Sequence, residues 1–206
     1  GLTGKHRNVA DPVFTFEKPV FKKKLDLPLA SLNDRAANYL KKRKLNPTKF
    51  YYANRFKHFC NTIKPTFETT KNDHPRVVIP FYDRENSLIG FQGRSLDSYV
   101  IPKYLTVMLD EKSPKVYGLD KVNIEEEIYV TEGPFDSTFI GNSIAMCGSD
   151  VDLSDFNYRF IFVYDNEPRS REIVSKITKT IEKSHKVVIF PPHIREKDIN
   201  DMVLAG

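Results

Sequence analysis

The stretch Tyr129-Val-Thr-Glu132-Gly133-Pro-Phe-Asp136 decides how this chain is read. A short apolar run breaks off at Glu132, and two further runs end alike, at Asp165-Asn-Glu167 and at Lys197-Asp198-Ile-Asn-Asp201. Three successive strand-to-acid junctions place the carboxylates along one edge of a parallel sheet, where open α/β folds put their chemistry. Hard divalent cations bind such a cluster, and Mg²⁺ in particular points to phosphate chemistry. Gly133 is expected to permit the tight turn and Pro134 to preset the first helical turn, which leaves Asp136 near Glu132. Taken singly, Asp136 also reads as an acid favoured at a helix start, and Asp165 as a helix cap. Capping does not explain three junctions that end alike, so metal binding is the preferred reading.

Outward from these junctions, strands are expected at Ile128–Thr131, 143–147, 159–164 and 186–190, with helices over 134–140 and 171–183. Ile173, Val174, Ile177 and Ile181 would form the buried face of the second helix. Strands alternating with helices imply a parallel α/β sheet, assigned to residues 123–206. Upstream, Arg76–Tyr82 and 87–92 read as a β-hairpin closed by a turn at 83–86. Gly90 and Gly93 there suggest bulges or close backbone approach. A helix is expected from a Ser31 cap through Ala36, Tyr39 and Leu40 to the basic run 41–44, and a second restarts at Asn46-Pro47. The basic run is either a solvated helix end or a nucleic-acid contact. Residues 31–122 thus form a small α+β unit, preceded by an extended basic arm over 1–30.

The net charge of +5 hides an asymmetry. Residues 1–122 hold 23 Lys and Arg against 12 Asp and Glu, hence +11, whereas the remaining 84 carry 9 against 15, hence −6. The basic part suits a polyanion and the acidic part suits cations. No run reaches the ~20 apolar residues of a membrane span, and no signal peptide opens the chain. Cys60 and Cys147 stand apart from any C-x-x-C, so neither a disulfide framework nor a structural zinc site is legible, and a reducing cytoplasm is the expected compartment. The absence of G-x-x-x-x-G-K-S/T speaks against an ATPase or helicase within these 206 residues. The chain starts without Met and stops soon after an acid cluster, which reads as a fragment of a longer protein.

The three acidic motifs, with Gly148-Ser149 between the first two, resemble the Toprim domain of DnaG-type primases, topoisomerases and some nucleases. The stretch from Pro80 through Gly93-Arg94-Ser-Leu-Asp97, then Pro102-Lys103-Tyr104-Leu105, then Lys115-Val-Tyr117-Gly118-Leu119, is similar in order to the basic subdomain of bacterial primases. The resemblance covers roughly residues 31–206 and is nearest to a bacteriophage-encoded form. It implies a Toprim-type parallel α/β sheet preceded by a small basic α+β subdomain. It also implies RNA primer synthesis from ribonucleoside triphosphates on single-stranded DNA.

By the resemblance Glu132, Asp165 and Glu167 are catalytic and hold Mg²⁺, for which Mn²⁺ substitutes. Asp136, Asp198 and Asp201 would be further ligands. Arg94, Lys103, Lys115 and Tyr104 would bind nucleotide or template. Tyr104 and Phe91 are also candidates for base stacking or for core. The implied partners are the template, the triphosphates and a replicative helicase, the last through regions outside this chain. Two residues depart from the pattern: Glu167 stands where Asp is usual, and Asn200 where bacterial relatives carry an acid. A Toprim nuclease or topoisomerase fragment, or a non-catalytic single-strand-binding module, are the alternatives.

Overall fold

The computed structural model describes residues 25–148 and 151–206. Most of the expected basic arm, and Ser149 of the Gly-Ser pair, lie outside the described residues. Two sheets organise the rest. The first is antiparallel in the order β1-β2-β3-β4, from β1 (Tyr51–Ala53), β2 (Arg76–Tyr82), β3 (Leu88–Ser95) and β4 (Tyr104–Met108). The second has the order β5-β7-β6-β8-β9, from β5 (Val116–Tyr117), β6 (Ile128–Thr131), β7 (Ser143–Met146), β8 (Phe160–Val163) and β9 (Lys186–Val187). Its four later strands are parallel, as expected, while β5 joins the edge antiparallel. That strand precedes residue 122, so the basic part of the chain supplies one edge of the second sheet.

Period-two alternation along β2 feeds two cores at once. Val77, Ile79 and Phe81 pack with Ala36 and Leu40 of α1 (Asp34–Lys42) and with Phe135 and Ala145 of the second sheet's layer. Val78, on the opposite face, packs with Phe56 and Cys60 of α2 (Phe56–Ile63) and with Phe91. Phe50 meets Phe135 edge-on, with ring centroids 5.5 Å apart, and so ties the two sheets together. Full burial of such a ring contributes on the order of 1.5–3 kcal/mol. Phe91 is core, edge-on to Phe56. Gly93 is glycine for room, because a Cβ there would lie 2.4 Å from the Phe56 ring. Gly90 faces the backbone of β4 in the same way, and the hairpin has a bulge beside Phe81. Asp83 closes the turn by accepting from the backbone N–H groups of Glu85 and Ser87.

Several local expectations give way to tertiary context. The cap of α1 is Asn33, whose side chain accepts from Ala36 N, and Ser31 lies in a preceding 3-10 turn. Asn46-Pro47 opens only a 3-10 turn, because Tyr51–Ala53 then pairs with β2. The helix expected over 134–140 is the single turn α3 (Pro134–Ser137), and the strand over 186–190 stops at Val187. In α4 (Arg171–Glu182) Ile173 and Thr180 are buried, whereas Val174 and Ile181 face solvent. The basic run closing α1 is partly structural: Arg43 and Lys44 bind the C-terminal helix α5 (Ile199–Ala205). Among the described residues, no helix is long and apolar enough to cross a membrane.

Candidate active site

Parallel pairing sets Thr131 beside Val163 at the C-terminal ends of β6 and β8. Glu132 therefore leaves the sheet next to the Tyr164–Asp165 end, and its Oε2 accepts from Asp165 N at 3.3 Å. Gly133 has an extended backbone (φ −125°), so the glycine is not needed for the turn itself. It leaves space, since a Cβ would sit 2.9 Å from Asp136 Oδ2. Pro134 starts α3, and Asp136 follows within its one turn. Asp136 Oδ1 accepts from the Asn200 backbone N–H at 2.9 Å.

The second junction is folded back on itself. Glu167 N donates to Asp165 O at 2.9 Å, so the two acids do not point to opposite sides as a straight strand would direct them. Lys197 Nζ reaches both, 3.7 Å from Asp165 Oδ2 and 3.4 Å from Glu167 Oε1. The extra methylene of Glu167 thus leaves it in the cluster. Between them Asn166 holds the third junction in place, donating from Nδ2 to Ile194 O and Glu196 O and from N to Lys197 O. Asp198 is the cap of α5 and accepts from Asp201 N at 2.7 Å. Asp201 sits in the first turn of that helix. Asp165 caps no helix, since Ser170 caps α4.

Crowding of these acids has an electrostatic signature. Burial first, then Glu132, Asp136 and Asp198, push the Asp165 carboxyl up to about 7 against the pull of Lys197. Burial and Asp198 push Asp136 up to about 6, opposed by the Asn200 N–H and by Arg94. Lys176 of α4 ion-pairs with Glu132 at 2.5 Å and with Glu172 at 2.9 Å. Among the described residues no three His, Cys, Asp or Glu side chains close around a common point, because lysines stand between the carboxylates. The donors are nonetheless hard oxygens carrying excess negative charge, which is the chemistry a divalent cation requires.

The facing wall comes from the first sheet. Arg94 of β3 is buried between the rings of Tyr104 and Phe135, each 4.8 Å from its guanidinium carbon, and donates from Nε to Tyr39 at 2.6 Å. Burial lowers its pKa, and Asp136 lies close enough to oppose that shift. Lys103 is exposed; Arg94 chiefly, then desolvation, Arg43 and Lys197, hold its ammonium below the usual value, with Asp198 opposing. Arg94, Lys103 and Tyr104 therefore border the carboxylates. Lys115 precedes β5, where its carbonyl accepts from Cys147 N, at the end of β7 that points the same way as the acid-bearing strand ends.

Four contributors carried no assigned role in the sequence reading: Lys176, Lys197, Asn166 and Tyr39. Lys197 lay within the third motif and Asn166 between two acids, so position pointed to them. For Lys176 the only local signal was its i,i+4 spacing from Glu172. Asn200, read there as a lost acid, is buried and holds Arg43 on both of its amide atoms.

The chain has the fold of the DnaG-type primase catalytic core. It superposes on the Aquifex aeolicus primase (zinc-binding and RNA polymerase domains) with TM-score 0.62 and 21% identity, covering 83% of this chain and 52% of that one. It also superposes on a DnaG primase catalytic domain bound to single-stranded DNA, with TM-score 0.60 and 19% identity over 86% and 70%. In sequence the chain is a relative of the DNA primase of enterobacteria phage T4, 32% identical over 97% of this chain. It spans 62% of that primase's length. No family model matches the chain.

Proposed function

We propose that this chain is the catalytic core of a DNA primase, joining ribonucleoside triphosphates on a single-stranded DNA template. One observation carries the reading: the carboxylates of Glu132, Asp136, Asp165 and Glu167 gather at one sheet edge, and Arg94 and Lys103 of the other sheet border them. Likeness to a phage primase over 97% of the chain supports it. Residues 31–122 would form the cationic wall and 123–206 the acidic one, with β5 crossing to the second sheet.

Glu132, Asp165 and Glu167 would hold Mg²⁺, or Mn²⁺ in its place, with Asp136 and Asp198 as supporting donors. Asp201, in the first turn of α5 beside Asp198, would be a further donor. When bound, the metal lowers the pKa of the attacking 3′-hydroxyl and neutralises the pyrophosphate leaving group. Arg94, fixed by two aromatic rings and Tyr39, would meet the triphosphate without losing side-chain freedom. Lys103, exposed and less strongly protonated beside Arg94, would supply a second cation to the polyphosphate or to the template. Lys176 and Lys197 would serve as counter-charges while no metal is present and move aside for it.

Glu132→Gln removes the central charge with almost no change of shape. Labelled nucleotide incorporation on short single-stranded templates, titrated with Mg²⁺ or Mn²⁺, is expected to fall below detection while the far-ultraviolet circular dichroism stays unchanged. An undiminished rate contradicts the assignment. Template cleavage in place of primer synthesis identifies a Toprim nuclease instead.

A further inference from the structure

Tyr99 and Ile101 are 75% and 90% exposed, the two most exposed large apolar residues of the first sheet and its loops. They flank Val100, which is buried at 5% exposure, on the loop between β3 and β4. Large apolar side chains scattered singly in water are ordinary, whereas neighbours on one loop form a patch. Here the backbone is pinned on either side of them. The buried guanidinium of Arg76 donates to Gly93 O and Lys103 O from Nη1 and to Pro102 O from Nη2. Ser95 N donates to Lys103 O, Ser95 Oγ exchanges hydrogen bonds with the Asp97 backbone, and Asp97 pairs with Arg35. His74 also packs against the Tyr99 ring, in a T-shaped contact with ring centroids 6.4 Å apart. The loop that presents the two side chains is therefore anchored at both ends and at Val100, which lowers the ordering entropy that binding costs.

What would cover them is decided by charge and continuity. The loop ends at Lys103, next to Tyr104, whose ring lies 4.8 Å from the guanidinium carbon of Arg94, and so reaches the cationic lip of the candidate site. Residues 25–122, which bear it, hold 17 Lys and Arg against 10 Asp and Glu, hence +7. A ligand touching Lys103 and Tyr99 together must be anionic at one point and flat and apolar at the next, repeatedly. Single-stranded nucleic acid meets that description. We infer that Tyr99 and Ile101 form a stacking platform for an unpaired base of the template, with Lys103 taking an adjacent phosphate. This rests on the primase reading and extends it by assigning the path along which the strand enters. Stacking on every base alike makes the platform indifferent to sequence, which suits a strand that must slide past it.

The chain contains no tryptophan. Tyr99→Trp therefore installs a single fluorescent reporter on the proposed platform. The full chain is titrated with an oligothymidine of about 12 nucleotides, without nucleotides or divalent metal, and binding is followed in parallel by anisotropy of labelled DNA. The expected result is strong quenching of the tryptophan that tracks the anisotropy for single-stranded but not for duplex DNA. Tyr99→Ala is expected to weaken single-strand binding by about 5- to 100-fold and to keep the parent's melting temperature, since the ring is largely exposed. Anisotropy that saturates with no quenching, or Tyr99→Ala binding within twofold of the parent, overturns the platform, as does a parent chain that binds no single strand. Primer synthesis by the parent alongside such a result leaves the polymerase reading standing. Quenching in a chain that makes no primer upholds the platform and removes the polymerase reading.

Discussion

At Asp165 the demands of the proposed chemistry and of folding conflict. Its carboxyl is pushed up to about 7 by burial and by Glu132, so the folded chain holds a proton that the unfolded chain has already released. The sign follows: the group costs nothing below the ordinary value of 3.8, and stability is lost as pH rises from there to about 7. Sharing of charge with Glu132 and Lys197 brings the net cost at pH 8 to about 1–3 kcal/mol. Asp165→Asn is therefore expected to raise the melting temperature of the metal-free protein at pH 8 by roughly 3–9 °C. Near pH 4 the gain should close. Equal melting temperatures at both pH values would refute the crowding argument. The acids themselves were legible in the sequence because strand ends and carboxylates are local signals. Their lysine partners were not, because Lys176 reaches Glu132 only across the packing of α4 on the sheet.

Elements repeat the pattern. The parallel strands, α4 and the 83–86 turn were legible because each rests on local periodicity or turn chemistry. The early strand β1 was hidden behind Asn46-Pro47, since its existence depends on pairing with β2 25 residues away. The contact between the two ends of the described chain was equally hidden. Asn200 of α5 accepts from Arg43 Nη1 at 2.8 Å and donates to Arg43 O at 2.9 Å, while its own N–H holds Asp136. Its side chain thus fastens α1 to α5, and its backbone aims a carboxylate of the site. Asn200→Ala leaves the part-buried carbonyl and guanidinium of Arg43 without these partners, at about 1–3 kcal/mol. A melting temperature lower by roughly 3–9 °C is expected, read by differential scanning calorimetry. A shift under one degree or so would show that solvent replaces both bonds.

Across the whole molecule, the proposed reading sets a cationic wall, with Arg94 and Lys103, against an acidic one, with Glu132, Asp136 and Asp165, between the two sheets. A single strand lying along the cationic wall releases one counterion set per neutralised phosphate, so its affinity falls with salt by a log–log slope of about −0.7 per phosphate. With about four phosphates in contact, raising the salt from about 50 to 200 mM weakens binding by roughly 50-fold. The acidic wall cannot contribute to that slope, so Glu132→Gln leaves it unchanged. Lys103→Ala is expected to lower the slope by about 0.7, because this exposed ammonium stands at the lip where the loop and the site meet. Arg94 is held between two rings and committed to Tyr39. Its removal would disturb the packing around Phe135 as well as the charge, which makes Lys103 the cleaner probe. Anisotropy titrations of labelled oligothymidine at several salt concentrations read the difference directly. A slope untouched by Lys103→Ala would put the strand on another path across the basic face, away from the loop that carries Tyr99 and Ile101.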